Sequence, residues 1–193
     1  MRRVLLVTAA VLLAAAPLAA CSRQDGANPV RSLVKIGGPF SLIDMNGRPV
    51  SEKSLLGKPT AIFFGFTYCP EVCPTTLTDM TAWLKALGPD ADKLNAVFVS
   101  VDPERDTPEQ LRLYLSNFDP RIQGFTGTPE AVAKAAKAYR VYYQKVPQDG
   151  GGYTIDHSSS VYLFDAKGQF VEPIAYQAPP DRALSQLRDL LSR

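Results

Sequence analysis

The chemically distinctive residues of this sequence are few: Cys69 and Cys73, set in Cys69-Pro-Glu-Val-Cys73, and His157, the only histidine among 193 residues. A cysteine acts as its thiolate, both as a nucleophile and as a metal ligand. Three intervening residues still permit a disulfide, but they widen the bite toward one that suits two sulfurs on a single metal ion. The spacing alone leaves a plain disulfide open. With the imidazole added, the donor set becomes soft. It suits copper, as trigonal cuprous ion or as cupric ion with a further ligand, and zinc accepts the same donors. Three protein ligands leave a fourth position open, which favours exchange over permanent burial. Asp156, beside the histidine, is expected to orient the ring as a hydrogen-bond acceptor or to stand as a solvated carboxylate.

These donors need a scaffold that brings residue 157 back to residues 69–73. Thr60-Ala-Ile-Phe-Phe-Gly-Phe66 is a continuous apolar run of strand length, the mark of a buried central strand, and it leads directly into Cys69. Leu77, Met80, Trp83, Leu84 and Leu87 then recur at helical spacing, which predicts an amphipathic helix over about 74–87. Both sulfurs therefore fall at the C-terminal edge of a sheet and at a helix N-terminus, where α/β folds place their sites and thiolates are stabilised.

Asn95–Val101 reads as a second buried strand. Thr107-Pro108 and Thr128-Pro129 pair a capping hydroxyl with a helix-starting proline, opening helices of about 108–119 and 129–138. Phe40 to Val50, turning through Asn46-Gly47, reads as a hairpin with a primed turn. Residues 140–146 read as a short strand, 160–164 and 170–175 as a second hairpin, and Asp181 as the cap of a last helix ending near Leu191. The sum is an α/β domain over 36–193, a mixed central sheet flanked by helices. The element order resembles a thioredoxin-like fold with an added N-terminal β-hairpin. In that fold, the turn before the strand at 160–164 carries a cis-proline facing the cysteine pair. Here His157 lies close to that place, opposite the sulfurs.

The chain opens with Arg2-Arg3, an apolar run from Val4 to Ala16 and then Leu18-Ala19-Ala20-Cys21, the pattern of an export signal. The run is shorter than the roughly 20 residues that span a bilayer. Leu18-Ala19-Ala20-Cys21 also resembles the bacterial lipobox, so residues 1–20 are expected to be a lipoprotein signal peptide. Cys21 is then the acylated residue and 21–35 a flexible tether, giving an exported protein anchored at a membrane through lipid. Loss of residues 1–20 removes two of the 21 basic residues and no acidic ones, leaving 19 of each. A neutral chain gives a nucleic-acid role no electrostatic support.

Five stretches, in order, resemble the Sco family, also called SenC or PrrC: Gly65–Pro74, Ser100–Glu109, Phe125–Thr128, Tyr139–Tyr143 and Asp156-His157-Ser158. The resemblance implies copper held by Cys69, Cys73 and His157. It further implies copper delivery to, or thiol reduction at, the dinuclear copper site of cytochrome c oxidase subunit II, alongside other periplasmic copper chaperones and a thiol reductant. Asp102-Pro-Glu-Arg-Asp106 resembles the family's charged loop, serving docking or site support, or else a turn with solvated charges. Phe66, Tyr68, Trp83 and Tyr139 read as core or rim packing. A thiol-disulfide oxidoreductase or redox sensor acting through Cys69 and Cys73 alone is the first alternative. A peroxidase ranks lower, because no Arg or Lys adjoins the pair in sequence, and a purely structural disulfide comes last.

Overall fold

The computed structural model describes residues 35–193; the expected export signal, Cys21 and the tether up to residue 34 lie outside the described residues. The apolar runs form the middle of the sheet. β3 (Thr60–Gly65) is buried at every position and pairs in parallel with β4 (Asn95–Ser100), Phe63 opposite Phe98. β4 pairs in parallel with β5 (Ile122–Thr126), a strand the sequence patterning did not reveal. On the other side, β3 runs antiparallel to β8 (Val161–Phe164), which forms a hairpin with β9 (Phe170–Ile174).

The expected N-terminal hairpin, β1 (Ser41–Asp44) and β2 (Pro49–Ser51), adds to the far edge through β1 and β5, giving the order β2-β1-β5-β4-β3-β8-β9. Its turn differs from the primed type. Gly47 alone takes a positive φ, of 77°, and the Asp44 carboxylate accepts from the backbone N–H groups of Asn46 and Arg48. The three-residue loop therefore closes on its own aspartate. A separate two-stranded sheet, β6 (Tyr143–Pro147) with β7 (Tyr153–His157), stands outside the seven strands.

Among the described residues, four α-helices flank the sheet. α1 (Val72–Leu87) buries Cys73, Thr76, Leu77, Met80, Trp83, Leu84 and Leu87 along one stripe and starts two residues earlier than its apolar pattern suggests, so Cys73 lies in its first turn. α2 (Pro108–Leu115) is shorter than expected, because the Asn117 amide donates to the carbonyls of Leu113 and Tyr114 and satisfies groups that a longer helix would use. α3 (Pro129–Ala138) matches its expected bounds and ends where Arg140 turns left-handed and Val141 donates back to Ala136. This delays β6 to Tyr143. α4 (Pro180–Leu191) starts on Pro180 with Pro179 at the cap, so Asp181 sits in the first turn and is not the capping residue.

Alternate residues of β3 serve opposite layers. Phe63 meets Phe98 and the His157 ring, while Phe64 meets Tyr139 and Tyr162. The arrangement is a thioredoxin-like fold, a mixed sheet flanked by helices with the added hairpin at one edge. Leu163, fully buried on β8, is a fair probe of this core. Leu163→Ala should cost about 2–5 kcal/mol in chemical denaturation, as a cavity in a packed interior does.

Candidate metal centre

β3 ends at Gly65, buried Phe66 follows, and the turn Thr67–Glu71 carries Cys69 before α1 begins. A buried acidic side chain sets that turn. Asp106 accepts from the backbone N–H of Thr67 at 3.0 Å, from its hydroxyl at 2.7 Å and from the Ser100 hydroxyl at 2.6 Å. Cys69 is partly exposed. Cys73, one helical turn on, is fully buried. Its sulfur lies against Gly65, where a Cβ would stand 2.6 Å from Sγ and 2.9 Å from the Phe98 ring. Only glycine leaves room for the sulfur at that point.

The third donor arrives on β7. The His157 ring is held edge-on against Phe66 at 5.7 Å and tilted against Phe63 at 6.0 Å. Its Nδ1 lies 2.9 Å from the Ser158 carbonyl oxygen. A carbonyl only accepts, so Nδ1 carries a proton and Nε2 is the ring nitrogen that faces the sulfurs, 3.4 Å from Cys73 Sγ. The donor atoms of Cys69, Cys73 and His157 all lie within 4.8 Å of one another, at a cleft of about 360 Å³ that Pro70, Glu71 and Ile155 help to line. Both cysteines are free thiols.

The two sulfurs are unequal. Burial pushes the Cys73 thiol far up, while the Cys73 thiol, donating toward Cys69, holds the Cys69 sulfur down to about 4 against the opposing effect of burial. The backbone N–H of Cys73, at the start of α1, adds a bond of 3.3 Å to Cys69 Sγ. One thiolate, one buried thiol and one imidazole nitrogen thus converge, a soft set that a thiophilic cation can complete by displacing the remaining thiol proton.

The structure brings together the three expected donors and excludes Asp156 from the ring. Successive strand residues face opposite ways, so Asp156 points outward at the exposed rim of the cleft and Ser158 supplies the acceptor. The charged loop also departs from a solvated turn, since Asp102 and Asp106 are both fully buried. Phe66, Trp83 and Tyr139 are buried core residues, whereas Tyr68 is 57% exposed beside Cys69. The roles of Thr67, Asp106 and Ser158 were not legible beforehand. The sole available signal was a buried-strand end followed by two aspartates.

The SCO1/SenC family profile matches residues 29–192. The chain belongs to the SCO1/SenC family. Among family proteins, it is 39% identical over 171 residues to the mitochondrial protein SCO2 of Saccharomyces cerevisiae, covering 86% of this chain and 56% of that one. Against several mitochondrial members the chain spans about half of their length. Copper-bound ScoI of Bradyrhizobium japonicum superposes with a TM-score of 0.76 at 52% identity, over 80% of this chain and 99% of that one. BsSco, described as a member of the Sco family of cytochrome c oxidase assembly proteins, gives 0.65 at 26% identity, over 82% and 95%.

The unequal sulfurs have a measurable consequence. With its thiol held down to about 4, Cys69 is a thiolate at any pH well above that value. Iodoacetamide should therefore modify Cys69 of the reduced chain at a nearly constant rate from pH 6 to 8, where an ordinary thiol of pKa about 8.5 would speed up about 75-fold. Peptide mapping should find Cys73 unmodified. A rate still climbing steeply at pH 8 would contradict the assignment.

Proposed function

We propose that this chain is a copper chaperone that holds the ion through Cys69, Cys73 and His157 and serves assembly of the dinuclear copper site of cytochrome c oxidase subunit II. The observation that carries the reading is the convergence of two sulfurs and an imidazole nitrogen within 4.8 Å, on one open side of the sheet. Copper-bound ScoI of the same family supports the choice of metal, and the family description attached to BsSco supports the assembly role. Copper is cargo in this reading, so an accessible site with three protein donors fits better than a closed four-ligand cage.

The same sulfurs suit a preparatory step at the client. Cys69 thiolate attacks a client disulfide, forming a mixed disulfide and expelling one client thiolate. Cys73, once deprotonated, then attacks Cys69 Sγ and releases the second client thiolate. The client pair gains two electrons and takes up protons, and the Cys69–Cys73 pair is left oxidised until an external thiol reductant restores it. An oxidoreductase acting through the cysteines alone gives His157 no duty and is the weaker reading. Delivery of this kind places the chain outside the cytoplasm, where other copper chaperones would supply the ion and acylated Cys21 would hold the domain at a membrane surface. Among the described residues no helix is long and apolar enough to cross a membrane.

Titration of the reduced soluble chain, residues 22–193, with copper should give one ion per chain with a thiolate-to-cupric absorption band. Cys69→Ser with Cys73→Ser should abolish binding, and His157→Ala should weaken it by roughly 10- to 100-fold or more. Binding indifferent to His157 would move the assignment to the oxidoreductase.

A further inference from the structure

Two structural units carry the donors. Cys69 sits on the turn after β3, whereas His157 ends a two-stranded sheet whose strands pair only with each other and not with the seven-stranded sheet. Side chains must therefore set how the hairpin meets the body of the domain, and one of them reaches both units. The guanidinium carbon of Arg105 lies 3.9 Å from the ring centroid of Tyr153 on the hairpin, 4.8 Å from that of Tyr68 beside Cys69, and 5.8 Å from that of Phe66. Its Nη1 donates to the Tyr153 carbonyl at 3.0 Å, and its Nε donates to the fully buried Asp102 carboxylate. Asp102 in turn accepts from the Tyr153 hydroxyl at 2.7 Å.

We propose that Arg105 is a positioning residue of the metal centre, the clamp that fixes the His157 hairpin against the Cys69 turn. Strand periodicity makes the clamp effective at a distance. Tyr153, Ile155 and His157 share one face of β7, so gripping Tyr153 sets the direction of that face at the His157 end, about 13 Å along the strand. A planar guanidinium is required, because the same group must stack on aromatic rings and donate in two directions within its plane. Arg105 Nη2 is buried without a hydrogen-bond partner among the described residues. That costs stability, as does burying the Asp102 carboxylate, so the group's use lies in geometry and not in the strength of its ion pair.

The proposal rests on the copper reading only for its effect on metal binding, and one experiment separates the two. Hydrogen exchange of the metal-free chain is compared among wild type, Arg105→Ala and Arg105→Lys, followed by cuprous affinity and the nitrogen hyperfine signature of the cupric form. Lysine keeps the charge opposite Asp102 and so protects the fold, but it cannot stack or fork. Both variants should exchange tenfold or more faster across residues 143–157 and 67–71 with β3 and β4 unchanged, lose about 10- to 100-fold in cuprous affinity, and show a weakened imidazole signature. Wild-type exchange in Arg105→Lys would overturn the clamp, and so would acceleration spread equally over β3 and β4, which marks a merely structural residue. A wild-type chain that bound no copper would sink the chaperone reading, while the exchange data would still decide the clamp.

Discussion

Asp106 has lost contact with water, and its carboxylate must be bound from within. Thr67 and Ser100 meet that demand, and each belongs to the segment that leaves a central strand. The bonds therefore join the end of β3 to the end of β4 and fix the path of the chain from Phe66 into Cys69. The backbone carbonyl of Asp106 accepts from the Thr126 hydroxyl at the end of β5, which brings a third strand end into the same node. Burial raises the Asp106 carboxyl, and the hydroxyl and amide donors oppose that rise. The Cys69 turn and the start of α1 stand downstream of this node, and the 102–106 loop reaches the hairpin through Asp102 and Arg105.

The three donors differ in how firmly the fold owns them. Cys73 is part of the core, wedged between Gly65 and the first turn of α1. Cys69 sits on a turn whose neighbours Tyr68, Pro70 and Glu71 are exposed. His157 depends on a separate sheet, on the rings of Phe63 and Phe66, and on its own neighbour's carbonyl. Parallel pairing of β3 with β4 makes this division possible, because it sends both strands out at one edge of the sheet with their connecting segments side by side.

Much of this was readable in the residues. Continuous apolar runs identified β3 and β4, Thr-Pro pairs located the starts of α2 and α3, and the rarity of cysteine and histidine singled out the donors. β5 and β7 escaped because their patterns carry little information. Ile122-Gln-Gly-Phe-Thr126 has a glycine at its centre, and Tyr153-Thr-Ile-Asp-His157 buries only Ile155. The burial of Asp102 and Asp106 was left open for a different reason. Two acids around a proline look like a wet turn, and nothing local reveals that their partners lie 39 and 51 residues away. Of the two readings of Asp156 the solvated one fits, because adjacency in sequence is not adjacency in space when a strand turns neighbours apart.

The depth of Cys73 imposes an order of events on any exchange at this centre. Its sulfur is walled by Gly65, Phe98 and its own helix, so no incoming group can approach it from behind. The cleft opens on the opposite side, between Pro70 and Glu71 on the Cys69 turn and Thr154 and Asp156 on the hairpin. A group entering there meets Cys69 and His157, which line the cleft, before it can reach the buried Cys73 sulfur. The site is one-sided, with an open mouth and a fixed far wall.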